Sequence, residues 1–357
     1  LKLDADADTS ITVDTDDQID IKIAGSDKLV ISSTSHLSTT TAGTSNFVLG
    51  VNAGNSIQSG GNYNVALGDE AGTAITTGDR NIAIGFEAGK AISTGGENVA
   101  IGYQALATED GHGLNIAIGS EALENLNAGA DAYNVAVGHN AGKNVTTGST
   151  NTLIGARAGD ALTVGSENVA IGDLALSADT QGSRNVAIGR AALDAQNFTS
   201  ATNSNNTAIG YDAGSSVTVG VNNVLIGAHA GDALTDADFN VAMGFQALTN
   251  DTLGSGSTAI GHHALQTQNF SSATTTYNTA VGYQAGKATT TGVRNILVGG
   301  LTGDAITGGQ RNVAMGHGAL STDTEGNRSV AIGYQALTNQ NLTSGTDVES
   351  VAVGYHA

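Results

Sequence analysis

The residues of this chain whose chemistry would matter most are its eight histidines, a run of aspartates at the start and three Gly-Lys pairs. The histidines are His36, His112, His139, His229, His262, His263, His317 and His356, and most follow a recurring glycine directly or one residue later. Three-fold symmetry would bring three copies of one imidazole together and make a transition-metal site; without such an axis these are histidines on solvated corners. Asp4, Asp6, Asp8, Asp14, Asp16, Asp17 and Asp20 are spaced largely as Asp-x-Asp. Clustered carboxylates suit calcium, but the glycine and distal glutamate of the calcium loop are missing, so the expectation is no cofactor, with calcium the one candidate. Gly85-Phe86-Glu87-Ala88-Gly89-Lys90 is one residue short of the phosphate-cradling Gly-x4-Gly-Lys, and Lys143 and Lys287 repeat the same Ala-Gly-Lys. No Gly-x-Ser-x-Gly occurs, and the other acids are dispersed, so the chain reads as a non-enzyme.

The composition explains why chemistry is sparse. There is no Pro, Cys or Trp, aromatics are 4%, and Gly reaches 50 of 357 residues. The 39% apolar share is mostly Ala, Val and Ile, side chains that fill a narrow interior rather than a large core. Thirty-three acids against 13 bases give a net charge of −20, which argues against nucleic acid as a partner and for a solvated, self-repelling surface. No apolar run approaches the roughly 20 residues of a membrane helix, so membrane insertion is not expected. Starting on Leu1 and lacking a signal peptide, the chain reads as a fragment or processed product.

What positions these residues is a repeat. The phrase Asn–β-branched–Ala–aliphatic–Gly, written in full as Asn98-Val99-Ala100-Ile101-Gly102, closes on eighteen glycines from Gly50 to Gly354. Most neighbouring copies are about 17 residues apart, and a fixed period sustained from Asn46 to the end of the chain marks a solenoid array. The alternation and the β-branched residues favour strands over helices, so each repeat is expected to make one coil of short strands with a glycine corner. The fold class is therefore all-β: a parallel β-solenoid (β-roll or β-helix) of eighteen coils over residues 46–357, behind a β-hairpin-rich leader and connector, 1–45. Within a rung, Val99 and Ile101 are expected in the thin core, Ala100 toward a neighbouring copy, Gly102 at the turn and Asn98 in a stacked corner ladder.

A second period lies above the first. Every fourth coil is longer, so that the glycines Gly68, Gly138, Gly210, Gly282 and Gly354 bound four-coil cassettes. Each cassette holds about 70–72 residues, the first being the shortest. Two coils read Ala-Gly after the closing glycine and two read Ala-Leu. The pairs Asn125-Leu126, Asn197-Phe198, Asn269-Phe270 and Asn341-Leu342 recur at one constant interval, once per cassette. Extra residues enter only in the fourth coil, and loops on a rigid scaffold commonly carry binding. Asn197, Phe198, Asn269, Phe270, Asn341 and Leu342 are thus the candidate ligand surface, the rings stacking on sugars and Asn supplying hydrogen bonds. The competing expectation is that Phe and Leu tuck in to pack a longer coil.

Lines such as Ser329-Val330-Ala331-Ile332-Gly333 and "NTAVGYQAGKATTTG" resemble repeats of bacteriophage tail fibres and are similar to the heads of trimeric autotransporter adhesins, and the likeness runs through the whole array, 46–357. The adhesin heads use a shorter repeat, which favours the phage type. The resemblance implies an elongated parallel homotrimer in a virion tail fibre, with itself, other fibre proteins and a host cell-surface glycan or protein as partners. The alternatives are a bacterial surface adhesin or extracellular filament subunit, and an ice-binding solenoid suggested by "ITTG", "VTTG" and "TTTG". The small Ala slots and thin coil give trimerisation a physical motive, because association buries more surface and covers edges.

Overall fold

The computed structural model describes Ser10–Val13, Ile19–Ile23, Ser26–Ile31, Leu37–Ser38 and residues 41–357, and contains no helix among them. The chain divides into two compact units, Leu1–Thr150 and Asn151–Ala357. In the first, the four leader strands pair antiparallel in sequence order, Ile11 opposite Ile21 and Ile19 opposite Ile31, with a bulge between Ile21 and Lys22. Six three-residue strands follow, from Phe47–Leu49 to Val135–Val137. The second unit carries twelve, from Thr152–Ile154 to Val351–Val353.

Within each unit the three-residue strands of the repeats pair in parallel and without shift with the next repeat's strand: Val99 lies beside Ile116, Ala100 beside Ala117 and Ile101 beside Ile118. The expected parallel β-solenoid is what forms, with one short strand per coil. The closing glycines make the stacking possible. Gly102 sits at φ 134°, and a Cβ there would stand 2.4 Å from the carbonyl oxygen of Gly119 on the next coil. No L side chain is accommodated at that φ and that approach.

One expectation is corrected. Ala100 and its equivalents in all but the first and last rungs are fully buried, whereas Val99 and Ile101 face outward and are only half-buried. The pleat alone could not decide the face, since alternation is the same in either direction. The buried Asn98 decides it, because Asn, Ala and Gly share one parity along the strand and the Asn side chain must reach inward. The slot is narrow in the Ala rungs, where a Cβ on Gly89, across the interior, would lie 3.5 Å from Ala83 Cβ and 3.6 Å from Ala100 Cβ; once per cassette of the second unit it takes a buried leucine instead, Leu153, Leu225 or Leu297.

The Ala-Gly and Ala-Leu beat is a volume exchange across this interior. In the Ala-Gly coils an apolar side chain, such as Ile75, Ile92, Leu162 or Leu234, fills the space seven residues after the closing glycine. In the Ala-Leu coils Leu106, Leu123, Leu176 or Leu193 takes that volume from the other side. These leucines hold φ between 48° and 54°, a left-handed conformation costing about 1 kcal/mol or more each, offset by their burial.

Candidate functional sites

Asparagine is the first built site. Asn81 Oδ1 accepts the N–H of Asn98 at 3.0 Å, while Asn81 Nδ2 donates across its own coil to the Gly95 carbonyl at 2.8 Å. The same two bonds recur from Asn168 to Asn185 and to the Gly182 carbonyl, and from Asn223 to Asn240 and to the Ala237 carbonyl. The amide thus closes one coil and fixes the next. Ser257 and Ser329 stand in for Asn where a glutamine reaches the vacated space, Gln268 Nε2 lying 2.9 Å from Ser257 Oγ and Gln340 Nε2 2.9 Å from Ser329 Oγ.

That glutamine belongs to the second site, which the sequence reading missed. Seven residues after the closing glycine, the two Ala-Leu coils carry an acid and then an amide in the interior: Asp179 with Gln196, Asp251 with Gln268, Asp323 with Gln340. All three carboxylates are fully buried. Asp251 accepts Nε2–H of Gln268 at 2.5 Å, the Gly254 N–H at 3.1 Å and the Phe270 N–H at 3.3 Å. Gln268 Oε1 in turn accepts Asn278 Nδ2–H at 2.8 Å, joining the acid to the asparagine ladder. The chain signals this only as an acid followed one coil later by a glutamine, in the last three of the four cassettes.

These acids organise the extended fourth coil. The Phe198 N–H bonds Asp179 Oδ1 at 3.3 Å and the Leu342 N–H bonds Asp323 Oδ1 at 3.0 Å. Residues added in that coil form two-residue strands, Thr202–Asn203 beside Gly182–Ser183 and Thr274–Thr275 beside Gly254–Ser255. The Phe198 and Phe270 rings are turned in and buried, and Leu342 is half-buried, so these side chains pack the longer coil; Asn197, Asn269 and Asn341 are exposed. The Asn125-Leu126 pair is out of phase with the other three. Because the first cassette is shorter, Leu126 is buried in the slot of Gln196, and Asn127 is the equivalent of Asn197, their N–H groups bonding the Thr146 and Thr218 carbonyls.

Asp251→Ala is expected to cost about 3 kcal/mol, because three donors are left in a dry interior without their acceptor. Urea titration, with faster amide exchange at Gly254 and Phe270, checks it. Burial first of all pushes the Asp251 carboxyl up, against the Gln268 amide and the backbone N–H groups that pull it down. Burial likewise raises Asp160 and Asp304. A folded-state value above the unfolded one means stability that is fully present below the unfolded value, 3.8, and lost as pH rises through the folded values. Glu87, lowered by its hydrogen bonds to Lys90 and Gln104, acts the other way in the first unit. Unfolding midpoints of the second unit are therefore expected to fall as pH rises from below 3.8 through the folded-state values, as amide exchange across pH would show.

The remaining candidates are placed as follows. Lys90 is ion-paired to Glu70 at 2.6 Å and Glu87 at 2.7 Å, and Lys143 to Glu121 and Glu124, so these two of the three Ala-Gly-Lys lysines serve neighbouring coils. His262 and Tyr283 stack at 5.4 Å on the turn after the strand, continuing a run from Phe245, and His317, Tyr334 and Tyr355 form another. His263 packs against His262 at 3.8 Å between centroids; burial, then His262 and Lys287, hold its imidazole below the ordinary value. Glu109, Asp110 and His112 bring ligand atoms within 4.8 Å, but both Glu109 oxygens already accept backbone N–H groups, of His112 and Ala128. His36 and the aspartates proposed for calcium at 4, 6, 8, 14, 16 and 17 lie outside the described residues, as does the Asp20 side chain.

The outward strand face runs along each unit, one short strand per coil. Its two columns are mainly Val and Ile, with Thr at Thr152, Thr207, Thr258 and Thr279, and Ile154, Met243, Ile296, Met315 and Ile332 are each more than a third exposed. Fold and slots together define a tandem-cassette parallel β-solenoid. Comparison of the chain with protein-family models, curated proteins and solved structures finds no match.

Proposed function

We propose that this chain is a non-enzymatic structural fibre protein of the virion tail-fibre type, in which three parallel copies form a stiff spacer that attaches to a host cell-surface glycan or protein. The observation that supports it most is the outward strand face, which is apolar in most positions of each unit and is interrupted in the second by Thr152, Thr207, Thr258 and Thr279. At about 4.8 Å per rung the twelve rungs of the second unit stack over roughly 53 Å. With a strand face roughly 10 Å wide, that is roughly 500–600 Å² of mostly apolar surface on one copy, near the scale of one side of a standard interface, about 800 Å². Patches of several hundred Å² that are apolar and continuous are seldom left in water. Identical rungs on each copy put equivalent side chains at one level, which suits a closed symmetric assembly. The asparagine ladder and buried acid–amide pairs add stiffness, since each coil is bonded to the next by side chains as well as by backbone. Such an assembly works outside the cell, in a virion alongside other fibre proteins. Native mass spectrometry of the chain is expected to give three copies, and negative-stain microscopy a uniform rod. A chain that stays monomeric at micromolar concentration would remove the reading.

A further inference from the structure

The residue before each ladder Asn or Ser sits on a left-handed corner, and along the array these corners stack. In two cassettes ion pairs occupy the stack: Glu167 with Arg184 at 3.1 Å, and Arg328 with Glu349 at 3.5 Å and Asp347 at 2.9 Å. In the cassette between them the same three positions are Phe239, Gly256 and Tyr277. Both rings are exposed, 63% and 61%, and the glycine leaves a gap where its counterparts have arginine. The result is a cleft of about 400 Å³ lined by Asp238, Phe239, Ser255, Gly256, Thr275 and Tyr277. That volume is within the range of small-ligand clefts, roughly 300–1,000 Å³.

We infer that this cleft binds one neutral hexopyranose residue of a glycan, gripped between Phe239 and Tyr277. The inference rests on the attachment reading above and gives it a ligand class. The two corners are two ladder steps apart, about 9.6 Å, which suits a puckered sugar ring better than a flat base needing about 7 Å. A pyranose offers an apolar C–H face to the electron-rich face of an aromatic ring and hydroxyls around its rim. The cleft supplies the matching polar atoms. Asp238 Oδ1 accepts the Val221 N–H at 2.8 Å, which leaves Oδ2 as an acceptor for a sugar hydroxyl. Ser255 Oγ accepts the Asp238 N–H at 3.0 Å and keeps its own proton to donate. An apolar side chain of a protein partner would strand these groups, and an anionic sugar would meet Asp238 on a chain of net charge −20.

The test is saturation-transfer NMR on the full chain with the methyl glycosides of glucose, galactose and mannose and, as the charged control, of sialic acid. The expected result is transfer to the ring C–H protons of at least one neutral hexoside. Phe239→Ala and Tyr277→Ala should each weaken binding about tenfold or more, the equivalent of one stacked ring. Gly256→Arg should abolish it without harming the fold, since Arg184 and Arg328 hold the same left-handed corner at φ 63° and 59°. Native mass should be unchanged in all three variants. No transfer from any neutral hexoside, transfer only from the sialoside, or binding that survives Gly256→Arg would each overturn the inference. So would a changed mass in Phe239→Ala, which would give the ring to a contact between copies. Hexoside binding by a chain that proves monomeric would uphold the cleft while removing the fibre.

Discussion

Gly227→Ala is expected to destabilise its part of the array by roughly 3–5 kcal/mol, although it adds a single methyl group. Two costs combine. Gly227 sits at φ 131°, where an L residue is strained by roughly 1–3 kcal/mol. The new Cβ would also stand 2.6 Å from the Gly244 carbonyl oxygen and 2.7 Å from its carbon, both backbone atoms of the next coil. No rotamer relieves that overlap; the coils must separate, and the ladder bonds of Val224–Ile226 with Val241–Met243 separate with them. Gly129→Ala is the control. Its φ is also positive, 71°, but nothing lies within 4 Å of the added Cβ, so only the local strain of about 1 kcal/mol remains. Because a repeat array opens locally, amide exchange of the two rungs is a better measure than a global midpoint. Comparable protection in both variants would mean the closing glycines are not what sets the coil spacing.

The coil, its period and the cassette were legible because each leaves a mark in residue type: a glycine where no other residue fits, an asparagine where an amide must bond two coils. The direction of the strand was not legible, since Val-Ala-Ile alternates equally well either way up. The solution lies in the buried asparagine at one end of the phrase, whose parity assigns Ala to the interior. The acid–amide pairs escaped for a different reason. Asp251 and Gln268 look like ordinary surface residues, and their burial follows only from the leucines Leu248 and Leu265 that displace apolar volume in those coils. The phase of Asn125-Leu126 misled because its interval to Asn197-Phe198 equals that between the later pairs, whereas the step between their coils, Gly119 to Gly189, is shorter. Insertion length thus decided which residue occupies an interior slot, and a match in letters did not.

Placing lysines on the outward face gives the second large effect: Ile209→Lys with Ile260→Lys is expected to dissociate the proposed trimer into single copies while leaving the coil folded. In a single chain both side chains are half-buried on the outer side of their strands, beside the fully buried Ala208 and Ala259. A lysine there keeps its ammonium in water, and the cost to the isolated fold should stay within about 1 kcal/mol. In a parallel trimer joined through this face, three ammonium groups would meet at each of two levels in an apolar seam, each several kcal/mol out of place. Self-repulsion among lysines on an acidic chain is local, so the surrounding negative charge would not rescue a dry seam. Ala208→Lys separates the two faces of the strand. Its side chain has only the coil interior to enter, so it should unfold its rung whatever the oligomeric state. The pair of results assigns the interface: dissociation with native circular dichroism for the outer double variant, and local unfolding for the inner one. A double variant that still sediments as three copies would move the contact off the Val/Ile columns, toward the aromatic corners at Tyr283 and Tyr334.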